Sequence, residues 1–207
     1  MELSRQGLGA TETIKRTTSA MILSRVAGMD AAAAVNTLTA AMNSYTSAVL
    51  TAEQITNKIV AVDRKFAVSS ADLSEAIKRV ASSAQSAGVS LEELMAAVTA
   101  AQQTTARGGS VIGNSFKTIL TRLQRLRNVK ALEEIGVQVR DLEGNFKPAM
   151  GVLKALAKEF NNLSDASKAQ VGELIGGVFQ INVLKAVMSD LNNEYGVAVR
   201  ATRMSTQ

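Results

Sequence analysis

An all-α fold follows from three features of the sequence. Helix-capping signals recur about every twenty residues, apolar residues repeat at spacings of three and four, and a single proline, Pro148, interrupts the chain. The helices are expected as an extended or bundled array, with one short hairpin or extended loop near 135–147. Rings are scarce: aromatic residues make up 3% of the 207 residues, with no Trp. Small aliphatic side chains supply the apolar bulk, which suits helices packed close together rather than a broad globular core.

Taken in order, a first amphipathic helix spans about Glu12 to Val26 and ends at Gly28. Asp30 caps a second, Ala-rich helix reaching about Val49. Thr51 and Gln54 form a capping box that opens a third helix, to about Val68, with Ile55, Ile59, Val62 and Phe66 on one face. A fourth starts at Ser70, carries Leu73, Ile77, Val80 and Ala84, and stops at Gly88. Ser90 and Glu93 make the clearest capping box and open a fifth helix through Leu91, Leu94, Val98 and Ala101. Gly108 and Gly109 break it. A basic helix follows over about Val111 to Leu126, with Ile112, Phe116, Ile119, Leu120 and Leu123 inward.

From Ile135 to Lys147 the pattern changes. Val137 and Val139 alternate with polar residues, and Glu143-Gly144-Asn145 is turn chemistry. Pro148 sits where a helix can begin, and Val152, Leu153, Leu156 and Phe160 give that helix its face. Ser164 and Ser167 mark another start, carrying Val171, Leu174 and Ile175 up to Gly176-Gly177. A last helix runs from about Phe179 to Asn193 or beyond, and the polar tail from Arg200 to Gln207 is expected to fray. The organisation read from this is an N-terminal helix (1–29), a helical core including the basic helix (30–134), a loop or hairpin (135–147) and a C-terminal helical segment (148–207). The segments do not repeat in sequence, so no solenoid is expected.

Composition excludes much chemistry. With no Cys and no His, the chain has no disulfides, thiol nucleophiles, Cys/His zinc sites or His-based triads. No run of about eighteen apolar residues marks a membrane span, and the N-terminus lacks the apolar block of a signal peptide. The net charge of +5 permits contact with nucleic acid or an acidic partner. No cofactor, metal or catalytic residue is expected.

Gly108 to Ser115, GGSVIGNS, has the glycine spacing of a phosphate loop. Asn114 stands where that motif needs Lys, and a helix rather than a strand precedes it. The glycines fit packing better. Gly109 and Gly113 are four apart, as are Gly172 and Gly176, a spacing that clears one strip of a helix for another backbone. Gly109, Gly113, Gly176 and Gly177 are therefore the candidate packing or turn residues.

Between Glu93 and Glu133 there is no acidic residue, while Arg107, Lys117, Arg122, Arg125, Arg127 and Lys130 lie in that window. Arg122 and Arg125, three apart, would share a helix face. Arg122, Arg125 and Lys130 are the candidate partner contacts. A phosphate backbone is one possible counterpart, but no aromatic residues interleave there to stack bases. Asp141 and Glu143 fit an ordinary solvated turn.

One ordered block is more specific: RGGSVIGNSFKTILTRLQR from Arg107 to Arg125, ALEEIGVQVRDLEGNFKPAMGVLKALA from Ala131 to Ala157, and AQVGELIGGVFQINVLKAVM from Ala169 to Met188. It resembles the core region of phage tail tape measure proteins of siphophage, myophage and prophage tails, a likeness covering roughly Ala20 to Leu191. The resemblance implies a long, helical, non-enzymatic virion protein, present in several copies in the lumen of the tail tube, as a trimer or hexamer. It implies partners in the tail tube and in the tail tip or baseplate, a part in setting tail length, and exit with the DNA, with contact to DNA and to the host membrane during ejection. Assembly would begin in the bacterial cytoplasm. Complete tape measures are much longer than this chain, which therefore looks like a segment of one. Some members carry cell-wall hydrolase domains, whose motifs are lacking here. A helical DNA-binding protein and a membrane-active one are the alternatives.

Overall fold

A computed structural model describes residues 9–193 and 196–197. Among these the elements are α1 (Ala10–Ala27), α2 (Ala31–Ser44), a 3-10 turn (Thr46–Ala48), α3 (Ala52–Asp63), α4 (Ser70–Ser86), α5 (Leu91–Thr105), α6 (Gly109–Leu123), α7 (Leu126–Glu134), α8 (Ala149–Phe160) and α9 (Asp165–Leu191). The fold is all-α. The polar tail from Arg200 onward lies outside the described residues.

Local chemistry sets most boundaries. At α3 the Gln54 N–H donates to Thr51 Oγ1 (3.1 Å) while the Thr51 N–H donates to Gln54 Oε1 (2.9 Å). At α5 the Glu93 N–H donates to Ser90 Oγ (3.2 Å) and the Ser90 N–H to Glu93 Oε2 (2.9 Å). Each box satisfies donors that a helix start leaves free. Gly28 closes α1 in the left-handed region at φ 62°.

Two expected boundaries shift. The second helix stops at Ser44 rather than Val49: Tyr45 turns its ring into the core, and the chain passes through the 3-10 turn before Val49 takes a left-handed φ of 48°. The third stops at Asp63 rather than Val68, because the Asp63 carboxylate accepts from both the N–H and the hydroxyl of Ser70, folding the chain back while Phe66 and Val68 plug the turn. The fourth starts at Ser70 as expected, and Ser69 caps it, accepting from the Asp72 N–H at 3.0 Å.

A further change is the division of the basic helix. It ends at Leu123, and Arg125 becomes the N-cap of α7. The apolar phase explains the break. A helix turns about 100° per residue, so a continuous helix would aim Val129 and Leu132 away from the face of Ile112, Phe116 and Ile119. The break re-aims both into the core and leaves Leu126 exposed. Consequently Arg122 and Arg125 do not share a helix.

The 135–147 segment forms a tight reversal with a single antiparallel bridge, Arg140 to Phe146. The Asp141 carboxylate accepts from the Asn145 N–H at 2.8 Å and closes the turn, while Val137 and Val139 anchor it in the core.

α4 lies at the centre, against α1, α2, α3, α5 and α6. Its closest neighbour is α6, where a Cβ on Gly109 would fall 1.8 Å from the Asp72 carbonyl oxygen and one on Gly113 2.9 Å from the Ala76 Cα. Small residues bring the backbones together, and the larger side chains of Leu73, Ile77, Ile112, Phe116 and Ile119 close around the crossing. The buried apolar residues form one continuous cluster from Ala20 to Met188. A broad shared core thus forms without many rings, against the compositional expectation, because close backbone approach lets aliphatic side chains fill it.

By length and composition Asp165–Leu191 is apolar enough to cross a membrane, although no uninterrupted apolar run marks it. It is a core helix interrupted at Gly177, whose φ 70° and ψ 172° are non-helical.

Candidate partner-binding site at the break in the last helix

Gly177 occupies a backbone region open essentially to glycine alone. It separates two half-helices, 165–176 and 178–191, and Gly172 and Gly176 let them close on each other. A Cβ on Gly172 would meet the Ile181 side chain at 2.8 Å, and one on Gly176 the Ile181 Cα at 2.9 Å.

The first half-helix ends at carbonyls that the break deprives of their helical donors. Arg122, reaching across from α6, supplies replacements: its Nη1 donates to the Glu173 carbonyl (3.0 Å) and the Leu174 carbonyl (3.2 Å). Asn128 Nδ2 donates to the Leu174 carbonyl (3.2 Å) and to the Arg122 carbonyl (2.8 Å), tying the α6–α7 junction to the same point. A cation at the negative end of a helix is favourable. On the other side of the break, Arg107 Nη1 donates to the Phe179 carbonyl at 3.1 Å.

These contacts frame a recess of about 480 Å³ whose lining includes Arg122, Arg125, Arg127, Gln170, Glu173 and Val178. A second recess, about 500 Å³, is lined in part by Arg107, Asn182 and Lys185. Just after the break the chain presents two large apolar residues to solvent, Val178 at 71% and Phe179 at 79% exposure.

Of the candidate contacts, Arg122 and Arg125 meet at the first recess. Arg122 is half-buried and engaged with backbone carbonyls, whereas Arg125 is exposed. Lys130 is exposed on α7 and does not line that recess. Gly109 and Gly113 lie at the α4–α6 crossing, and Gly176 and Gly177 at the break. The phosphate-loop-like segment is the N-cap and first two turns of α6, and its Gly109 N–H is taken by Asp72 Oδ1 at 2.8 Å.

Arg127, Val178 and Phe179 are among the residues of the site that were not singled out from sequence. Arg127 has its signal in the Arg-x-x-Arg-x-Arg run from 122 to 127. Val178 and Phe179 read as the start of an ordinary helix, and only the backbone turn at Gly177 reveals their exposure.

A helical scaffold with a charged recess beside an apolar projection presents a surface suited to interactions with other proteins. The phage-related minor tail protein family matches residues 1–177, and the chain belongs to that family. It is also 35% identical over 109 residues to the probable tape measure protein of Escherichia phage P2, an alignment covering 51% of this chain and 13% of that protein. The chain thus spans a small fraction of its relative's length. No solved structure matches it.

Proposed function

We propose that this chain is the folded helical module of a tape measure protein, which sets tail length, contacts tail-tip or baseplate proteins during assembly and takes part in genome ejection. The observation that carries the reading is the similarity to a probable tape measure protein across half of this chain, within a family match over residues 1–177. A module of this kind works by being held in register with copies of itself, as a trimer or hexamer, inside the tail tube, after assembly in the bacterial cytoplasm. Its own role is attachment. The ruler length belongs to further helical sequence, at about 1.5 Å per residue, and the arginine-lined recess with Arg125 is the surface for tail partners.

The test uses the parent gene in a phage. Inserting about twenty helix-forming residues outside this module should lengthen tails by about 30 Å in electron micrographs. Tails of unchanged length would show that the parent is not the ruler.

A further inference from the structure

We infer that the break at Gly177 is a docking site for an acidic amphipathic helix of another tail protein, which seats an apolar side chain against Val178 and Phe179 and carboxylates against Arg125 and Arg127. The inference deepens the tail-partner reading above and rests on it for the partner's location, not for its chemistry.

Four observations select this occupant. First, Arg125 and Arg127 are exposed at the first recess, with no acidic partner among the described residues. Their planar guanidinium groups match carboxylates in paired hydrogen bonds. Second, the second recess adds Arg107 and Lys185 without an acidic lining residue. Positive charge therefore brackets the break on both sides.

Third, Val178 and Phe179 project together into solvent, and a partner gains most by covering a large apolar pair at the centre of a charged frame. A duplex backbone offers nothing apolar there, and an unpaired base, which could stack on Phe179, would leave Val178 without an apolar partner. Fourth, Glu173 also lines the first recess and is exposed. It opposes a continuous polyanion more than it opposes a partner that offers a few separate carboxylates.

The site is also held in shape before binding. Arg122 and Asn128 hold the carbonyls before the break, and Arg107 holds the Phe179 carbonyl after it. The apolar pair is therefore presented without ordering on contact, which favours association.

The test measures fluorescence anisotropy of a labelled amphipathic peptide with the whole 207-residue chain. The peptide has about sixteen residues, or about 24 Å as a helix, with leucines along one stripe and glutamates beside it. Its counterpart has glutamines for the glutamates, and a single-stranded oligonucleotide of similar length serves as competitor. The glutamate peptide should bind about tenfold more tightly than the glutamine peptide at low salt. It should lose about tenfold in the Arg125→Glu, Arg127→Glu double variant and again in Phe179→Ser, with the oligonucleotide failing to displace it. All three side chains are exposed, and matching thermal melts would confirm that the variants fold. Absence of binding, equal affinity across the variants, or displacement by the oligonucleotide would each overturn the proposal, the last in favour of a phosphate-binding surface.

The same substitutions in the parent phage separate the two readings. Lost peptide binding with normal tails retires the tail contact and leaves the chemistry of the site. Failed tails from a parent whose module never bound the peptide retire the docking proposal alone.

Discussion

The chain breaks its helical run at two glycine pairs, Gly108-Gly109 and Gly176-Gly177, and the two are built with opposite charge. At the first, Gly108 takes φ 79° and ψ 153° and opens α6. The helix start there is met by an anion: Asp72 Oδ1 accepts the Gly109 N–H at 2.8 Å, while Oδ2 accepts the Ser69 hydroxyl at the start of α4. One carboxylate thus serves two helix N-termini. At the second, Gly177 takes φ 70° and ψ 172°, and the helix end before it is met by the Arg122 cation. Both pairings follow the helix dipole. They differ in setting, since Gly109 is pressed against backbone whereas Gly177 faces the Arg122 side chain at the first recess. Gly109 at the first break is therefore sealed by the backbone of another helix, while Gly177 at the second borders a recess, although Gly176 beside it is packed against Ile181.

Alanine substitutions test that division most severely. A Cβ at Gly109 would lie 1.8 Å from the Asp72 carbonyl oxygen, so α4 and α6 must separate. Gly109→Ala should destabilise by about 3 kcal/mol or more, and thermal unfolding should show a fall of several degrees. At Gly177 the nearest atoms belong to the Arg122 guanidinium at 3.0 Å, which can move. Gly177→Ala should instead show the backbone term, about 1–3 kcal/mol, together with loosening of the Arg122 bonds to the Glu173 and Leu174 carbonyls, and faster amide exchange confined to α9 and α7. Equal losses with global loosening in both variants would remove the distinction.

The first break was legible in sequence and the second only in part. Gly109 and Gly113 announce close packing by spacing alone, just as Thr51 with Gln54 and Ser90 with Glu93 announce helix starts, because each device acts within four residues. Gly176-Gly177 announces a stop but not what surrounds it. The site depends on Arg107 meeting Phe179 across 72 residues and Arg122 meeting Glu173 across 51, contacts that no local pattern encodes. The end of α6 at Leu123 escaped for a related reason. Nothing near Gln124 breaks a helix, and the break follows from where Val129 and Leu132 must point in the assembled core.

Neutralising the two caps comes next in size. Arg122→Gln removes a charged donor from the Glu173 and Leu174 carbonyls and should cost about 1–2 kcal/mol. Asp72→Asn keeps an acceptor for one of its two helix starts and should cost about 1 kcal/mol. Chemical denaturation in low and high salt would compare them. If the dipole pairing is the shared principle, both losses shrink as salt rises. A loss at Arg122 indifferent to salt would mean that hydrogen bonding alone holds the second break.

The smallest effect concerns Tyr45, which supplies the contrast to both breaks. Their polar groups find partners, whereas the buried Tyr45 hydroxyl finds none among the described residues. Tyr45→Phe removes an unsatisfied group without changing the ring, so at neutral pH it should be neutral or stabilise by up to about 1 kcal/mol. Burial, with the nearby charges of Glu92 and Glu93, raises the Tyr45 pKa well above its ordinary value. The folded state therefore resists a deprotonation that the unfolded chain undergoes near pH 10. The benefit of keeping the phenol neutral is complete below that pH and is lost as pH rises above it. Between pH 9 and 11 the stability advantage of Tyr45→Phe over the parent should grow by about 1 kcal/mol. A constant difference across that range would mean that the phenolate is accommodated in the fold, and the contrast with Arg122 and Asp72 would then be one of geometry rather than of satisfied polarity.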